Sequence, residues 1–284
     1  MLRFADVAED DWIFISFSGG RTSAYMTEWL LRRHRPDRCL VLFANTGREH
    51  PATLDFVRAC DTNLGFGTVW LEAVIHPAAG DGTTHQVVTY ETAARDGEPF
   101  ERMIQKYGIP NIAFPHCTRE LKLRPMHSYL RSLGHDPKTI PTAVGIRADE
   151  RRRVKKQKNI LYVLIDPNPV DKQDVLDHWA GAPFDLGIED FEGNCRGCFK
   201  KSLGKHFAQI DKDPSVYVWT ARMEKQYAHA GAGEGPRVFF RGNRSTEQLI
   251  QLRRAAPDFD PVHHVTEGGC AESCELYETE DEAA

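Results

Sequence analysis

The sequence lacks any long apolar run. Of its 284 residues, 41% are hydrophobic and 27% are charged, and no stretch approaches the roughly 20 apolar residues that a membrane-spanning helix needs. Residues 1–12 also lack the order of a basic segment followed by an apolar segment that marks an export signal. We therefore expect a cytoplasmic protein that does not enter a membrane.

The sequence also lacks a positive net charge. Its formal charge of −5 argues against a generally basic surface for nucleic acid. One local exception is the basic run at residues 151–158, which contains three arginines and three lysines. Such a run is either a solvated loop or a site that binds phosphates. Residues 147–158 are therefore a candidate contact for a nucleic-acid substrate.

Seven cysteines are present, but a reducing compartment excludes a disulfide framework. Cys39 and Cys60 lie in apolar runs and are predicted to be inert core thiols. The other five lie in polar, Gly-rich or Pro-flanked surroundings, which are typical of metal sites. These five are Cys117, Cys195, Cys198, Cys270 and Cys274.

Short apolar strands alternate with helical patterns along most of the chain. Strands are predicted at residues 12–17, 39–44, 68–75, 140–146 and 160–165, and helices at 22–33, from Pro51 to about Gly65, 121–133 and 172–179. Strands that are apolar throughout are typical of a parallel sheet covered on both faces. The predicted fold class is therefore a doubly wound, mostly parallel α/β sheet.

Two segments depart from this alternation. Residues 80–111 are less regular and are expected to form a flap over the strand ends. After Gly193 the pattern becomes helical, with helices predicted at 198–210, 215–230 and 246–255. We therefore predict an α/β domain at residues 1–192 and a helical, cysteine-bearing C-terminal region at 193–284.

A glycine-rich loop follows the first predicted strand, with the sequence Ser18-Gly19-Gly20-Arg21-Thr22-Ser23. A strand that runs through such a loop into a helix directs backbone N–H groups at the positive end of the helix, which forms an anion site. The hydroxyl groups and Arg21 add further donors. An ordinary tight turn is the alternative, and the Gly-Lys-Ser/Thr ending of a Walker A loop is missing.

Four segments carry a family resemblance. The loop at 18–23 resembles the SGGxDS PP-loop of the adenine nucleotide alpha hydrolase superfamily, with Thr22 at the acidic position. Asn45-Thr46-Gly47 resembles the DTG motif of phosphoadenosine phosphosulfate reductases, residues 118–125 resemble their R-K-x-x-P segment, and residues 145–152 resemble their G-x-R-x-x-E-x-x-R segment. The chain thus resembles the phosphoadenosine phosphosulfate reductase-like family.

The resemblance implies a Rossmann-like fold of the PP-loop type and an adenine nucleotide as ligand, either ATP or a sulfated one, with Mg as an accompanying ion. It assigns nucleotide binding to the loop at 18–23, to Asn45, Thr46 and Gly47, and to Arg152. Lys122 and Arg147 become catalytic cations, because both can neutralise phosphate or sulfate oxygens.

Cys195-Arg196-Gly197-Cys198 places two thiols at a spacing that can chelate one metal centre. The residues alone leave open a thioredoxin-like redox pair, a structural zinc site and an iron–sulfur site. The resemblance implies a [4Fe–4S] cluster with Cys117 as a further ligand. Cys270 or Cys274 is expected to supply the fourth thiolate, the alternatives being His116 or an open iron.

Three functions follow as hypotheses. The first is an ATP pyrophosphatase that adenylates a substrate, including for sulfur transfer. The second is a sulfonucleotide reductase in which Cys274 attacks sulfur and an electron donor such as thioredoxin or ferredoxin is needed. The third is a nucleic-acid-associated accessory protein without turnover. A homodimer is compatible with each of them.

Overall fold

The computed structural model describes residues 1–78, 80–232 and 235–260. Its centre is a six-stranded sheet with the order β4-β3-β2-β1-β5-β6. The strands are β1 (Ile13–Ser16), β2 (Cys39–Asn45), β3 (Val69–Val74), β4 (Thr84–Val88), β5 (Thr142–Val144) and β6 (Ile160–Leu161). Neighbouring strands are parallel except β3 and β4, which are antiparallel. The predicted α/β fold class is confirmed.

Helices surround this sheet and form the region after it. They are α1 (Arg21–Leu31), α2 (Pro51–Leu64), α3 (Glu98–Tyr107), α4 (His116–Thr118), α5 (Arg124–Ser132), α6 (Lys172–Ala180), α7 (Leu203–Lys212), α8 (Val218–Tyr227) and α9 (Thr246–Ala255). A π-helical turn, Arg119–Leu123, joins α4 to α5. Within the described ranges, no helix has both the length and the apolar character needed to cross a membrane.

Alternate side chains of the strands enter two separate cores, because successive strand residues point to opposite faces of a sheet. Ile13 and Ile15 of β1 pack in one core with α1, α2 and α6. Phe14, between them, packs in the other core with the π-helical turn and α5. Helices therefore cover both faces of the sheet, as predicted for a doubly wound fold.

A third core joins the C-terminal helices to α3. Its members include Phe100 and Met103 of α3, Phe207 of α7, Met223 of α8 and Leu249 of α9. The helical character expected after residue 193 is confirmed by these elements. The division into domains at 192/193 stays a prediction.

The expectation of an irregular flap at residues 80–111 was wrong. This segment supplies the antiparallel edge strand β4 and then helix α3, which starts after the left-handed Gly97 (φ 88°). The strand has a weak sequence pattern because Thr84, Gln86 and Val87 are exposed at the sheet edge. Periodicity therefore gives little signal for such an edge strand.

Several predicted elements were too long; the strand predicted at 140–146, for example, spans only Thr142–Val144. The strand predicted at 160–165 contains two residues, because the chain turns after Leu161 and the amide of Ile165 donates to the carbonyl of Tyr162. The helix predicted from residue 198 begins at Leu203. Ser202 caps it by accepting a hydrogen bond from the amide of Lys205, a common way for a helix to begin.

Candidate functional site

The site lies where the chain leaves the centre of the sheet in two directions. β1 pairs with β2 on one side and with β5 on the other, so the loops after β1 and β5 start from neighbouring strand ends. In open parallel sheets, ligands bind at such a topological switch point, outside the carboxyl ends of the strands. Residues 18–23, which we call the first loop, follow β1 directly.

The first loop is a tight turn into helix α1. Gly19 has a left-handed backbone (φ 77°), and a Cβ atom there would lie 2.7 Å from Cγ2 of Thr53. Gly20 is the N-cap residue and supplies no side-chain cap to the helix. Among the described residues, therefore, no side chain caps the backbone N–H groups at the positive end of α1, which is the arrangement of an anion site. Ser18 is half-buried, and the rest of the loop is buried.

The hydroxyl groups of the first loop bond within it. The hydroxyl oxygens of Ser18 and Ser23 are 2.9 Å apart, and Ser23 donates to the carbonyl of Gly20 over 3.0 Å. Thr22 instead accepts a 3.1 Å hydrogen bond from Nη1 of Arg147. The structure thus brings Arg147, which follows β5, to the start of α1.

Arg147 is buried, and its other donors meet a carboxylate. Its Nε and Nη2 atoms donate to the two carboxylate oxygens of Asp149 over 2.9 and 3.1 Å. Burial acts to raise the pKa of Asp149, but the hydrogen bonds and charge of Arg147 outweigh burial and lower it. Arg152 lies in the following 3₁₀ turn and is exposed.

Arg21 is turned toward the segment after α6. Its Nε and Nη2 atoms donate to the carboxylate of Asp185 over 2.6 and 2.5 Å, and these hydrogen bonds lower the pKa of Asp185. The indole Nε1 of Trp179 also donates to the carbonyl of Arg21. The guanidinium is therefore held by Asp185, and the fold positions the first residue of α1 from two sides.

The loop after β2, residues 45–49, is called the second loop, and its side chains bond inside the fold. Asn45 is fully buried and donates to Glu72 over 2.6 Å. The amide and hydroxyl of Thr46 donate to the carboxylate of Glu49. The amide of Gly47, which has φ 77°, donates to the side-chain oxygen of Asn45. These bonds fix the conformation of the second loop.

Glu49 and Lys122 lie close together. Glu49 is buried, and burial raises its pKa against the opposing charge of Lys122 and the hydrogen bonds from Thr46. The charge of Lys122 also acts to lower the pKa of Cys195. The predicted catalytic lysine therefore lies near both the second loop and the C-x-x-C segment.

Backbone hydrogen bonds join the C-x-x-C segment (Cys195–Cys198) to the second loop. Cys195 forms an antiparallel bridge with Glu49, and the amide of Arg196 donates to the carbonyl of Arg48 over 2.9 Å. The preceding residue, Asn194, accepts from the amide of His50 over 2.6 Å and donates from Nδ2 to the carbonyl of Ser18 over 2.9 Å. The structure thus brings the thiol pair and both loops together.

The two thiols of this segment are neighbours in a cationic environment. A hydrogen bond with Cys198, burial and the charges of Cys198 and Glu49 raise the pKa of Cys195. Lys201 is buried beside them and donates to the carbonyl of Cys195 over 3.3 Å. Burial lowers the pKa of Lys201, while the charges of both cysteines act to raise it.

The structure describes some of the donors that the predicted metal site needs. Over residues 1–78, 80–232 and 235–260, no three His, Cys, Asp or Glu side chains form a metal-binding group. Cys117 lies in α4, which Lys200 joins to the C-x-x-C region by a 3.3 Å hydrogen bond to Thr118. Cys270 and Cys274 lie outside the described residues. The described donors thus supply a thiol pair and do not complete a four-thiolate site.

Two further candidates have ordinary surroundings. His116 is half-buried and stacks on Phe114, and burial lowers its pKa. In the basic run, Arg153 pairs with Glu150, while Arg151, Arg152 and the three lysines are exposed. Binding of nucleic acid by residues 147–158 stays a prediction.

Four residues of the site were not identified from the sequence: Arg48, Glu49, Asp185 and Asn194. Asn194 had a usable signal, because it stands between a glycine and the first cysteine of the C-x-x-C motif. Arg48 and Glu49 directly follow the Asn45-Thr46-Gly47 motif. Asp185 had no signal in the sequence, since its partner Arg21 is 164 positions away.

Comparison with known proteins gives two matches. The family model described as "Phosphoadenosine phosphosulfate reductase domain" matches residues 12–163, a range that contains both loops, Lys122 and Arg147. The chain is also 33% identical over 277 residues to "Uncharacterized nin region protein ORF290" of Escherichia phage lambda, covering 93% of this chain and 94% of the relative. No solved structure matches the chain.

Proposed function

Because this chain belongs to the phosphoadenosine phosphosulfate reductase family, which binds adenine nucleotides, we propose that it is an enzyme that cleaves ATP or a related nucleotide at the α-phosphate to activate a substrate. One observation carries the proposal. The uncapped amino end of α1 lies at the switch point of the sheet, and the buried Arg147 reaches the same helix turn.

The proposed roles follow from these positions. Backbone amides of the first loop bind the phosphates, and Arg147 compensates the charge that develops there during cleavage. Lys122, whose charge acts on Glu49, has the same proposed role from the side of the second loop. Where the nucleotide carries Mg²⁺, its phosphates supply most of the ligands together with one or two carboxylates. Asp149, which is bound to Arg147, is a carboxylate at this edge.

The C-x-x-C pair is the proposed centre of a [4Fe–4S] site, together with Cys117 and either Cys270 or Cys274. Two observations support this proposal. The thiols of Cys195 and Cys198 form a hydrogen bond with each other, and the cations Lys122 and Lys201 interact electrostatically with the pair. Since the described residues do not complete the ligand set, no chemical step is assigned to a cluster. Anaerobic purification followed by iron and labile-sulfide assays tests it, and a colourless protein that contains neither iron nor labile sulfide contradicts it.

A second candidate is a reductase acting on adenylyl sulfate or its 3′-phosphate. The hydrogen bond from Asn194 to Ser18 favours it, because this bond places a thiol-bearing segment directly against the first loop. The thiolate of Cys274 is the proposed nucleophile: it attacks the sulfate sulfur, the S–O bond to the nucleotide breaks, and AMP or its 3′-phosphate leaves. Two electrons from a thiol or iron–sulfur protein would then release sulfite from the Cys274 thiosulfonate and regenerate the thiolate.

One experiment separates the candidates. The full chain is incubated with ATP, adenylyl sulfate or 3′-phosphoadenylyl sulfate, and pyrophosphate and sulfite are measured. Sulfite is measured with a thioredoxin or ferredoxin system present. Pyrophosphate supports the first function, and sulfite supports the second. Tight binding without turnover supports an accessory role, for which residues 147–158 would contact nucleic acid. If the protein binds none of the three nucleotides, all three proposed functions are contradicted.

The variant Cys274→Ser sharpens the comparison. It removes the proposed nucleophile and should abolish release of sulfite while sparing release of pyrophosphate. The variant Arg147→Met should impair both reactions, because both begin with binding of an anionic nucleotide at the first loop.

A further inference from the structure

Arg48 is a buried arginine that forms no ion pair with the described residues. The residue is 9% exposed, and no described carboxylate lies within salt-bridge distance of its side chain. The guanidinium carbon lies 4.5 Å from the ring centre of Trp219, and Nη2 donates to the carbonyl of Val216 over 3.3 Å. The Nε atom is fully buried and has no hydrogen-bond partner among the described residues.

A second orphan donor lies beside it. The indole Nε1 of Trp219 is buried and likewise has no partner in the described part of the chain. Both residues border Gly97, whose backbone is left-handed (φ 88°). A Cβ atom on Gly97 would lie 2.7 Å from Trp219 Nε1 and 2.8 Å from Cδ of Arg48. The two orphan donors therefore belong to side chains that both pack against the backbone of Gly97.

Such a pair is costly unless an acceptor is present. Burying a charged group without a partner destabilises a protein, and each unsatisfied buried donor adds to the cost. Burial lowers the pKa of Arg48, while the nearby Cys195 acts to raise it. The charge of Glu49 also acts to raise this pKa, while Arg196 and Arg222 act to lower it. The two orphan donors, and not the net charge around them, therefore favour an acceptor such as an anion.

The backbone of Arg48 is held in place from both sides. Its amide donates to the carboxylate of Glu49 over 3.2 Å, and its carbonyl accepts from the amide of Arg196. Arg48 is therefore the residue of the second loop that borders the C-x-x-C segment. A group bound at this guanidinium would stand beside Cys195, with little reorganisation of the protein.

We propose that Arg48 and Trp219 form an anion subsite that binds a sulfate- or phosphate-type oxyanion next to Cys195. Guanidinium and indole N–H groups suit the several acceptor oxygens of such a group. The proposal deepens the function above, on which its biological meaning rests. The oxyanion belongs either to the nucleotide or to the acceptor substrate.

Isothermal titration of the full chain with inorganic sulfate and phosphate tests the subsite. Arg48→Met should weaken oxyanion binding at least about tenfold, since it removes a charge-assisted hydrogen bond. Trp219→Phe keeps the ring but removes the N–H group, and should weaken binding about fivefold. Arg33→Met is the matched control, because Arg33 also lies 4.5 Å from a tryptophan ring, that of Trp29, but is exposed. It should leave binding unchanged.

A second measurement covers the case in which Arg48→Met fails to fold. Sulfate should raise the unfolding temperature of the wild-type chain, and Trp219→Phe should reduce that shift. Displacement of sulfate by adenylyl sulfate identifies the nucleotide as its source. If sulfate stays bound when nucleotide saturates the protein, the oxyanion belongs to a separate acceptor substrate.

Two results overturn the subsite. One is that the wild-type chain binds neither sulfate nor phosphate, which would leave water as the partner of the two donors. The other is equal binding by the wild type and both subsite variants. Titration with nucleotide in parallel tests the proposed function separately, because the protein can bind a nucleotide even if Arg48 and Trp219 bind no oxyanion.

Discussion

Asn194 donates a 2.9 Å hydrogen bond from its side chain to the carbonyl oxygen of Ser18, 176 positions earlier in the chain. Ser18 begins the first loop, and Asn194 directly precedes the C-x-x-C segment. The same residue accepts from the amide of His50 at the edge of the second loop. One side chain and its backbone thus fix three functional segments relative to each other.

Removal of this side chain should weaken nucleotide binding. Asn194→Ala loses one hydrogen bond worth about 1 kcal/mol, so we expect about a fivefold higher Kd for a non-hydrolysable ATP analogue. Asn111→Ala is the matched control, because Asn111 also donates to a distant carbonyl, that of Val238, away from the site. Equal Kd values for the two variants in isothermal titration would remove the assigned role of Asn194.

Arg147 should contribute more than Asn194, because it carries a charge. Arg147→Met is expected to raise the nucleotide Kd about ten- to a hundredfold, the range for one charge-assisted hydrogen bond. Arg147→Lys should recover only part of this loss, since lysine cannot donate as a planar fork. Arg151→Met removes an exposed charge four residues away and should have little effect. A wild-type Kd in Arg147→Met would contradict the proposed phosphate contact.

The sequence predicted the centre of the fold well, for a physical reason. The strand, the glycine turn and the helix at residues 13–31 are determined by contacts between residues close in sequence, and these leave a periodic pattern. Ile13, Phe14 and Ile15 form a continuous apolar run because both faces of β1 are buried.

Contacts between distant segments left no such pattern. The pairing of Arg21 with Asp185 and of Cys195 with Glu49 depends on where the completed sheet places its loops. Motif similarity therefore named Arg147 and the C-x-x-C segment but gave no reason to expect them around one point. The edge strand β4 was missed because its side chains are largely exposed.

Gly19 should be irreplaceable for steric reasons. Gly19→Ala places a methyl group 2.7 Å from Thr53 in a left-handed backbone, so both strain and overpacking apply. We expect a loss of about 2–5 kcal/mol in the free energy of unfolding, measured with urea. Gly65→Ala isolates the backbone effect, because Gly65 has φ 66° but nothing within 4 Å of the added atom. It should cost about 1–2 kcal/mol.

Similar losses in these two variants would mean that the tight packing of the first loop against α2 contributes nothing to stability. A larger loss in Gly19→Ala, with a shift in the urea midpoint at an unchanged slope, would support the packing.

His206 should make stability depend on pH. It is fully buried, and burial together with the charges of Lys201 and Arg241 lowers its pKa to about 3. Its Nδ1 atom lies 2.7 Å from the hydroxyl of Tyr217. In the unfolded chain the pKa of a histidine is about 6.5, so the unfolded state binds more protons between these two values. The stability contribution of neutral His206 is therefore complete above about pH 6.5 and is lost as pH falls toward 3.

From about pH 7 to pH 4.5, this one residue should lower the free energy of unfolding by about 2–3 kcal/mol. Urea unfolding across that range measures the effect. His206→Gln removes the titration while an amide can still reach Tyr217, so its stability should fall less with pH than that of the wild type. His229→Gln changes an exposed histidine and should keep the wild-type slope. If His206→Gln has the same slope as the wild type, His206 takes up its proton over the same pH range in the folded and unfolded protein, and its environment is less apolar than the packing against Phe240 indicates.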